Sequence, residues 1–125
     1  MISKVGQVMV YVHDQDAVLE FWTEKLGFTV MADEQQDGMR WIEIAPHKDA
    51  ETSIVLHDKD FIAKLDTGLN LDTPSLLFYT DNFEPLHHEL IEQGVTVGEI
   101  VEMPTGRTFN FADPEDNYFA VREMA

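Results

Sequence analysis

The feature that most constrains this fold is a doubled pattern. At an offset of 67 residues, Asp14 meets Asp81, Leu19 meets Leu86, Gly27 meets Gly94, and Thr29-Val30 meets Thr96-Val97. The matches fall where structure is decided: a helix-capping acid, a helical apolar position, a glycine stop and the strand that follows it. Repetition at this distance implies two modules of the same element order. Neither module can cover both faces of its own sheet, so the pair is expected to form one domain.

The hydrophobic period fills in the elements. Val8, Val10 and Val12 alternate with Gln7, Met9, Tyr11 and His13, as a strand with two different faces requires. Val18, Phe21, Trp22, Lys25 and Leu26 then fall on one helical face, capped by Asp14 or Asp16 and stopped by Gly27. Strands are expected over 28–32, 39–45 and 52–57, with a hairpin loop over 33–38. The second half repeats the order. It has a strand over 75–80, a helix with Phe83, Leu86, Leu90 and Ile91 capped by Asp81 or Asn82, and strands over 95–103, 108–112 and 118–122. The expected architecture is α+β: two βαβββ modules, 4–57 and 75–123, forming one open eight-stranded curled sheet with helices outside. A linker over 58–74 carries a short helix, and the whole chain, 1–125, is a single domain.

Composition narrows the function. The 125 residues are 44% hydrophobic, enough for one core. Cysteine is absent, which removes disulfides, thiolate metal sites and cysteine nucleophiles. Against 24 Asp and Glu stand only 8 Lys and Arg, a net charge of −16. That balance excludes a nucleic-acid binder and disfavours an anionic membrane surface. It suits solubility, a salty cytoplasm or the attraction of a cationic ligand. No apolar run approaches the roughly 20 residues of a membrane helix, and Met1-Ile2-Ser3-Lys4 leads into a strand with no signal-peptide core. A soluble cytoplasmic protein is expected.

Three clusters of residues resemble the vicinal oxygen chelate superfamily, which includes glyoxalase I, extradiol dioxygenases, and fosfomycin and bleomycin resistance proteins. Asp14 is followed at the family spacing by Phe21-Trp22 and then by Leu26-Gly27-Phe28. Phe111-Ala112-Asp113-Pro114-Glu115-Asp116-Asn117 resembles the family's Phe-x-Asp-Pro-x-Gly-Asn turn, with Asp116 where glycine is usual. The resemblance implies metal ligands at up to four equivalent places, filled by His, Gln or Glu in metal-dependent members. Here those places hold Gln7, Val55, Ser75 and Ala120. Valine and alanine have no donor atom, and a serine hydroxyl is a weak ligand for a divalent cation. A one-residue slip in the strands brings no better ligand to these places. The resemblance therefore points to the metal-independent, bleomycin-resistance-like branch, with no cofactor.

The strand alternation that carries these positions defines a cavity face: Gln7, Met9 and Tyr11; Met39, Trp41 and Glu43; Ser53, Val55 and His57; Ser75, Leu77 and Tyr79; Tyr118, Ala120 and Arg122. Its mixture of aromatic, thioether and polar groups suits a small-molecule pocket. The opposite set, including Val8, Val10, Val12, Ile42, Ile44, Phe119 and Val121, is apolar and suits packing under helices. Candidate ligand-binding residues are therefore Gln7, Tyr11, Trp41, Glu43, Val55, His57, Ser75, Tyr79, Tyr118 and Arg122. Trp41 and Tyr118 equally suit packing in the sheet or in a dimer, and Arg122 an ion pair with Glu43 or another carboxylate. Pro104-Thr105-Gly106-Arg107-Thr108 reads as a hairpin, or as a flap whose Arg107 reaches a ligand. His87 and His88 read as solvated helix surface.

Two functions follow. The first is a protein that sequesters a cationic or aromatic compound without turning it over, by analogy with the resistance-type members. The alternative is a glyoxalase-, isomerase- or dioxygenase-like enzyme with a divalent metal in a rebuilt site using His13 and His57. The resemblance implies a homodimer in either case.

Overall fold

The computed structural model describes residues 1–124. The chain divides into two compact units, one over Met1–Pro74 and one beginning at Ser75. The first contains β1 (Gln7–Val12), α1 (Gln15–Glu20) continued by a π-helical turn (Phe21–Lys25), β2 (Thr29–Gln36), β3 (Met39–Ala45), β4 (Ser53–Asp58) and α2 (Lys59–Lys64). The second contains β5 (Leu77–Thr80), α3 (Phe83–Glu92), β6 (Val101–Met103), β7 (Gly106–Ala112) and β8 (Tyr118–Glu123). Among the described residues, no helix is long and apolar enough to cross a membrane.

Each unit holds a four-stranded mixed sheet of the same topology, β1-β4-β3-β2 and β5-β8-β7-β6. The first and last strands of each unit run parallel, β1 with β4 and β5 with β8, and the remaining pairs are antiparallel. The doubled βαβββ order expected from the repeat is therefore present.

The apolar strand face is the core of each unit. Val10, Val12, Ile42, Ile44 and Leu56 are fully buried with Val18 and Trp22 from the helix. In the second unit Phe109, Phe111, Phe119 and Val121 are buried with Phe83 and Leu90 of α3. Burying a side chain of this size stabilises by about 1.5–3 kcal/mol, so these faces dominate the fold energetics.

The helix of the first unit departs from ideal periodicity. Asp14 caps α1 by accepting from the Ala17 N–H at 3.0 Å. The π turn then inserts an extra residue into the spiral, so that the neighbours Phe21 and Trp22 are both buried while Lys25 and Leu26 stay half-buried. Gly27, at φ 72°, turns the chain out, and the Phe28 N–H reaches back to the Trp22 carbonyl at 3.0 Å. The buried Gln15, which the hydrophobic pattern passes over, donates to the carbonyls of Arg40 at 2.8 Å and Leu56 at 3.0 Å. In the second unit, Asn82 occupies the cap position of α3 without a side-chain cap bond.

Two loops differ from expectation. The segment expected as a loop over 33–38 is mostly strand: Asp33 to Gln36 pair with β3, and only Asp37-Gly38 turns. Both turn residues have positive φ, 53° and 84°, the geometry of a two-residue hairpin. The strand expected over 95–103 shortens to Val101–Met103, with an isolated bridge between Val97 and Phe111. At the β7–β8 connection, Asp113 is buried and its carboxylate accepts from the N–H groups of Glu115 and Asn117, each at 2.9 Å. Asp116, at φ 61°, adopts the left-handed geometry for which the resembling motif normally supplies glycine.

Candidate functional site

Register decides which side chains share a face. In the first unit Gln7 lies opposite Ser53, Met9 opposite Val55, Tyr11 opposite His57, Trp41 opposite His57 and Glu43 opposite Val55. Residues paired across strands point to the same side of a sheet. The expected mixed face of this unit is therefore a single surface, with Val10, Ile42, Ile54 and Leu56 on the other side.

Gln7, Met9, Met39, Trp41, Glu43, Val55 and His57 line an open hollow of about 280 Å³ on that surface. Glu43 is its polar centre. One carboxylate oxygen accepts the Ser53 hydroxyl at 2.6 Å and the Gln7 amide at 3.4 Å, so two neutral donors hold the charge in place. Tyr11 stacks on His57 with ring centroids 5.7 Å apart and planes 23° from parallel. The His57 Nδ1 is buried without a hydrogen-bond partner. Burial pushes the His57 pKa below its ordinary 6.5, so the ring is neutral at pH 7. Trp41 and Met39 also border a neighbouring hollow with Phe61, Gln36 and Asp37.

In the second unit Leu77 lies opposite Ala120, Tyr79 opposite Arg122, Thr108 opposite Arg122 and Asn110 opposite Ala120. Tyr79 and Tyr118 stand on this face but are largely exposed, at 62% and 58%. Ser75 lies ahead of β5 and is exposed. Arg122 donates from Nε to the Thr108 hydroxyl at 3.4 Å. Sequence reasoning missed Thr108 and Asn110, although strand alternation along β7 places both on this face. Glu43 and Arg122, offered as a possible pair, each take the partners named above within their own unit.

The expected metal-ligand positions provide an amide at Gln7, a hydroxyl at Ser75 and only aliphatic carbon at Val55 and Ala120. Val55 is 2% exposed and presents methyl groups. This donor set does not fit a divalent cation. His13 holds Asp60 through Nδ1 at 3.1 Å. Among the described residues, no group of three or more His, Cys, Asp or Glu side chains is placed to share a metal.

Two surface readings need correction. Arg107 is not free to reach a ligand: it donates to Glu123 and Glu84, and its guanidinium lies 5.1 Å from the Phe83 ring centre. The connection it follows is a tight hairpin, with Met103 opposite Gly106. His87 is not simply solvated. Its Nε2 lies 2.9 Å from the Gly98 carbonyl, and its ring meets Phe109 edge-on at 4.8 Å. His88 does stand exposed, paired with Glu92 at 2.9 Å.

Comparison with known proteins adds three findings. The sequence profile of the Glyoxalase/Bleomycin resistance protein/Dioxygenase superfamily matches residues 4–121. The uncharacterised protein YetH of Bacillus subtilis (strain 168) is 34% identical over 125 residues, covering 98% of this chain and 100% of YetH. Two solved structures are similar over nearly their whole lengths. TnmS3, described as an antibiotic binding protein from Streptomyces sp. CB03234, is 32% identical with a TM-score of 0.83, over 99% of this chain and 98% of TnmS3. A superfamily member from Sphaerobacter thermophilus DSM 20745 is 28% identical with a TM-score of 0.82, over 98% of each chain.

Proposed function

The chain belongs to the glyoxalase/bleomycin resistance protein/dioxygenase superfamily, and on that premise we propose that it is a metal-independent small-molecule-binding protein of the cytoplasm. It sequesters a cationic or aromatic compound without turning it over. The observation that carries this reading is the hollow on the β1-β4-β3 face. It sets an indole, two thioethers and a valine around one carboxylate. Trp41 offers a face for stacking and cation–π attraction, and Glu43 offers the opposite charge, already oriented by Ser53 and Gln7. The net charge of −16 raises the local concentration of a cation. Likeness to an antibiotic binding protein supports the same reading. The chain acts as a homodimer, as sedimentation equilibrium would report.

The test is a thermal-shift screen of cationic aromatic compounds against the full chain, followed by titration of the strongest binder. Binding raises the melting temperature by mass action. Trp41→Ala and Glu43→Gln are each expected to weaken binding about tenfold, the effect of losing a partly desolvated cation–π or charged contact. The compound is recovered unchanged. A panel in which nothing shifts the melting temperature, or variants that bind as well as the parent, would overturn the reading. Near-stoichiometric zinc, nickel, manganese or iron, lost in Gln7→Ala, would support the enzymatic alternative instead.

A further inference from the structure

The second unit carries a hollow of its own, about 480 Å³, lined among others by Val101, Met103, Thr108, Asn110, Glu99 and Arg122. Its lining is distinctive because of the arginine. The chain has three arginines and 24 acidic residues. Arg40 is bracketed by Asp33 at 2.8 Å and Asp16 at 2.7 Å. Arg107 is bracketed by Glu123 and Glu84. Arg122 has neither arrangement. Among the described residues its side chain makes one hydrogen bond, the long contact from Nε to Thr108, and no carboxylate pairs with it. Its terminal nitrogens are left for another acceptor, in a chain otherwise crowded with carboxylates.

We propose that this hollow binds a small organic monocarboxylate with an apolar body. Four features select that class. A guanidinium fork matches a carboxylate with two parallel hydrogen bonds. Val101 and Met103 are about half exposed, at 52% and 49%, and offer apolar surface beside the charge. Glu99 on the lining and the net charge of −16 oppose a multiply charged anion, which disfavours phosphate. The Asn110 amide supplies a further donor on the same face.

The proposal is tested on the full chain with benzoate, using benzamide as the neutral isostere and inorganic phosphate as the alternative anion. Amide chemical shifts in ¹H–¹⁵N spectra are expected to move with benzoate at Val101, Thr108, Asn110 and Arg122, and to saturate. Benzamide and phosphate are expected to leave them in place. Arg122→Gln is expected to weaken benzoate binding about tenfold or more, the loss of a charge-assisted hydrogen-bond pair, and Arg122→Lys to restore part of it. Absence of benzoate shifts at these residues would overturn the proposal. So would benzamide or phosphate binding as tightly as benzoate, or a folded Arg122→Gln protein that binds benzoate normally.

Discussion

The environment of His57 is one that its sequence position does not reveal. It stacks on Tyr11, its Nδ1 is buried without a partner, and burial depresses its pKa below 6.5. The folded protein therefore resists protonation that the unfolded chain accepts. The sign follows directly: stability from the neutral ring is present above pH 6.5 and is lost as pH falls below it, because the unfolded state takes up the proton first. Urea unfolding of the parent and His57→Gln between pH 8 and pH 5 is expected to show a parent advantage that shrinks below about pH 6.5, the unperturbed histidine value. A difference independent of pH would show that the ring is as well solvated folded as unfolded. Strand alternation placed His57 on the face it occupies, but its missing hydrogen bond is a property of packing and has no trace in the pattern.

At the scale of elements, hydrophobic period succeeded where strands have one buried face and failed at the sheet edges. The period marked β3 and β4 closely because Ile42, Ile44, Ile54 and Leu56 alternate with the mixed face. It missed half of β2, an edge strand where Asp33 to Gln36 are all exposed and paired on one side only. With no buried face there is no period to read. The readable signal was the Asp37-Gly38 dipeptide, which specifies a tight two-residue hairpin. Gly38 sits at φ 84° with Phe61 3.6 Å from where a Cβ would stand. Gly38→Ala is therefore expected to destabilise by about 1 kcal/mol or more, through backbone strain, in thermal or urea unfolding. An unchanged midpoint would contradict the turn geometry. The β6 edge was overread for the converse reason: apolar residues from Val95 to Met103 imply a long strand, but continuous pairing begins only at Val101. Likewise the π turn at Phe21–Lys25 adds a residue that a uniform helical period does not contain.

For the whole molecule, the doubled order and the two faces of each sheet were legible because the repeat and the alternation encode them directly. The cavity of the first unit was legible for the same reason: all seven of its lining residues belong to the mixed face. Less legible was the second hollow, since Val101, Met103 and Glu99 belong to a weakly patterned edge. The surplus charge also proved more structured than composition implies. Asp16, Asp33, Glu84 and Glu123 bracket two arginines, and Asp14, Asp58 and Asp113 bond backbone N–H groups. Glu43 is the acid that faces the hollow of the first unit. The central claim is that this hollow binds its ligand through protein groups alone. Isothermal titration of EDTA-dialysed protein with the strongest compound from the cationic aromatic panel tests it most directly. The same affinity and stoichiometry are expected before and after dialysis. Binding that disappears with EDTA and returns with added zinc, nickel, manganese or iron would contradict it.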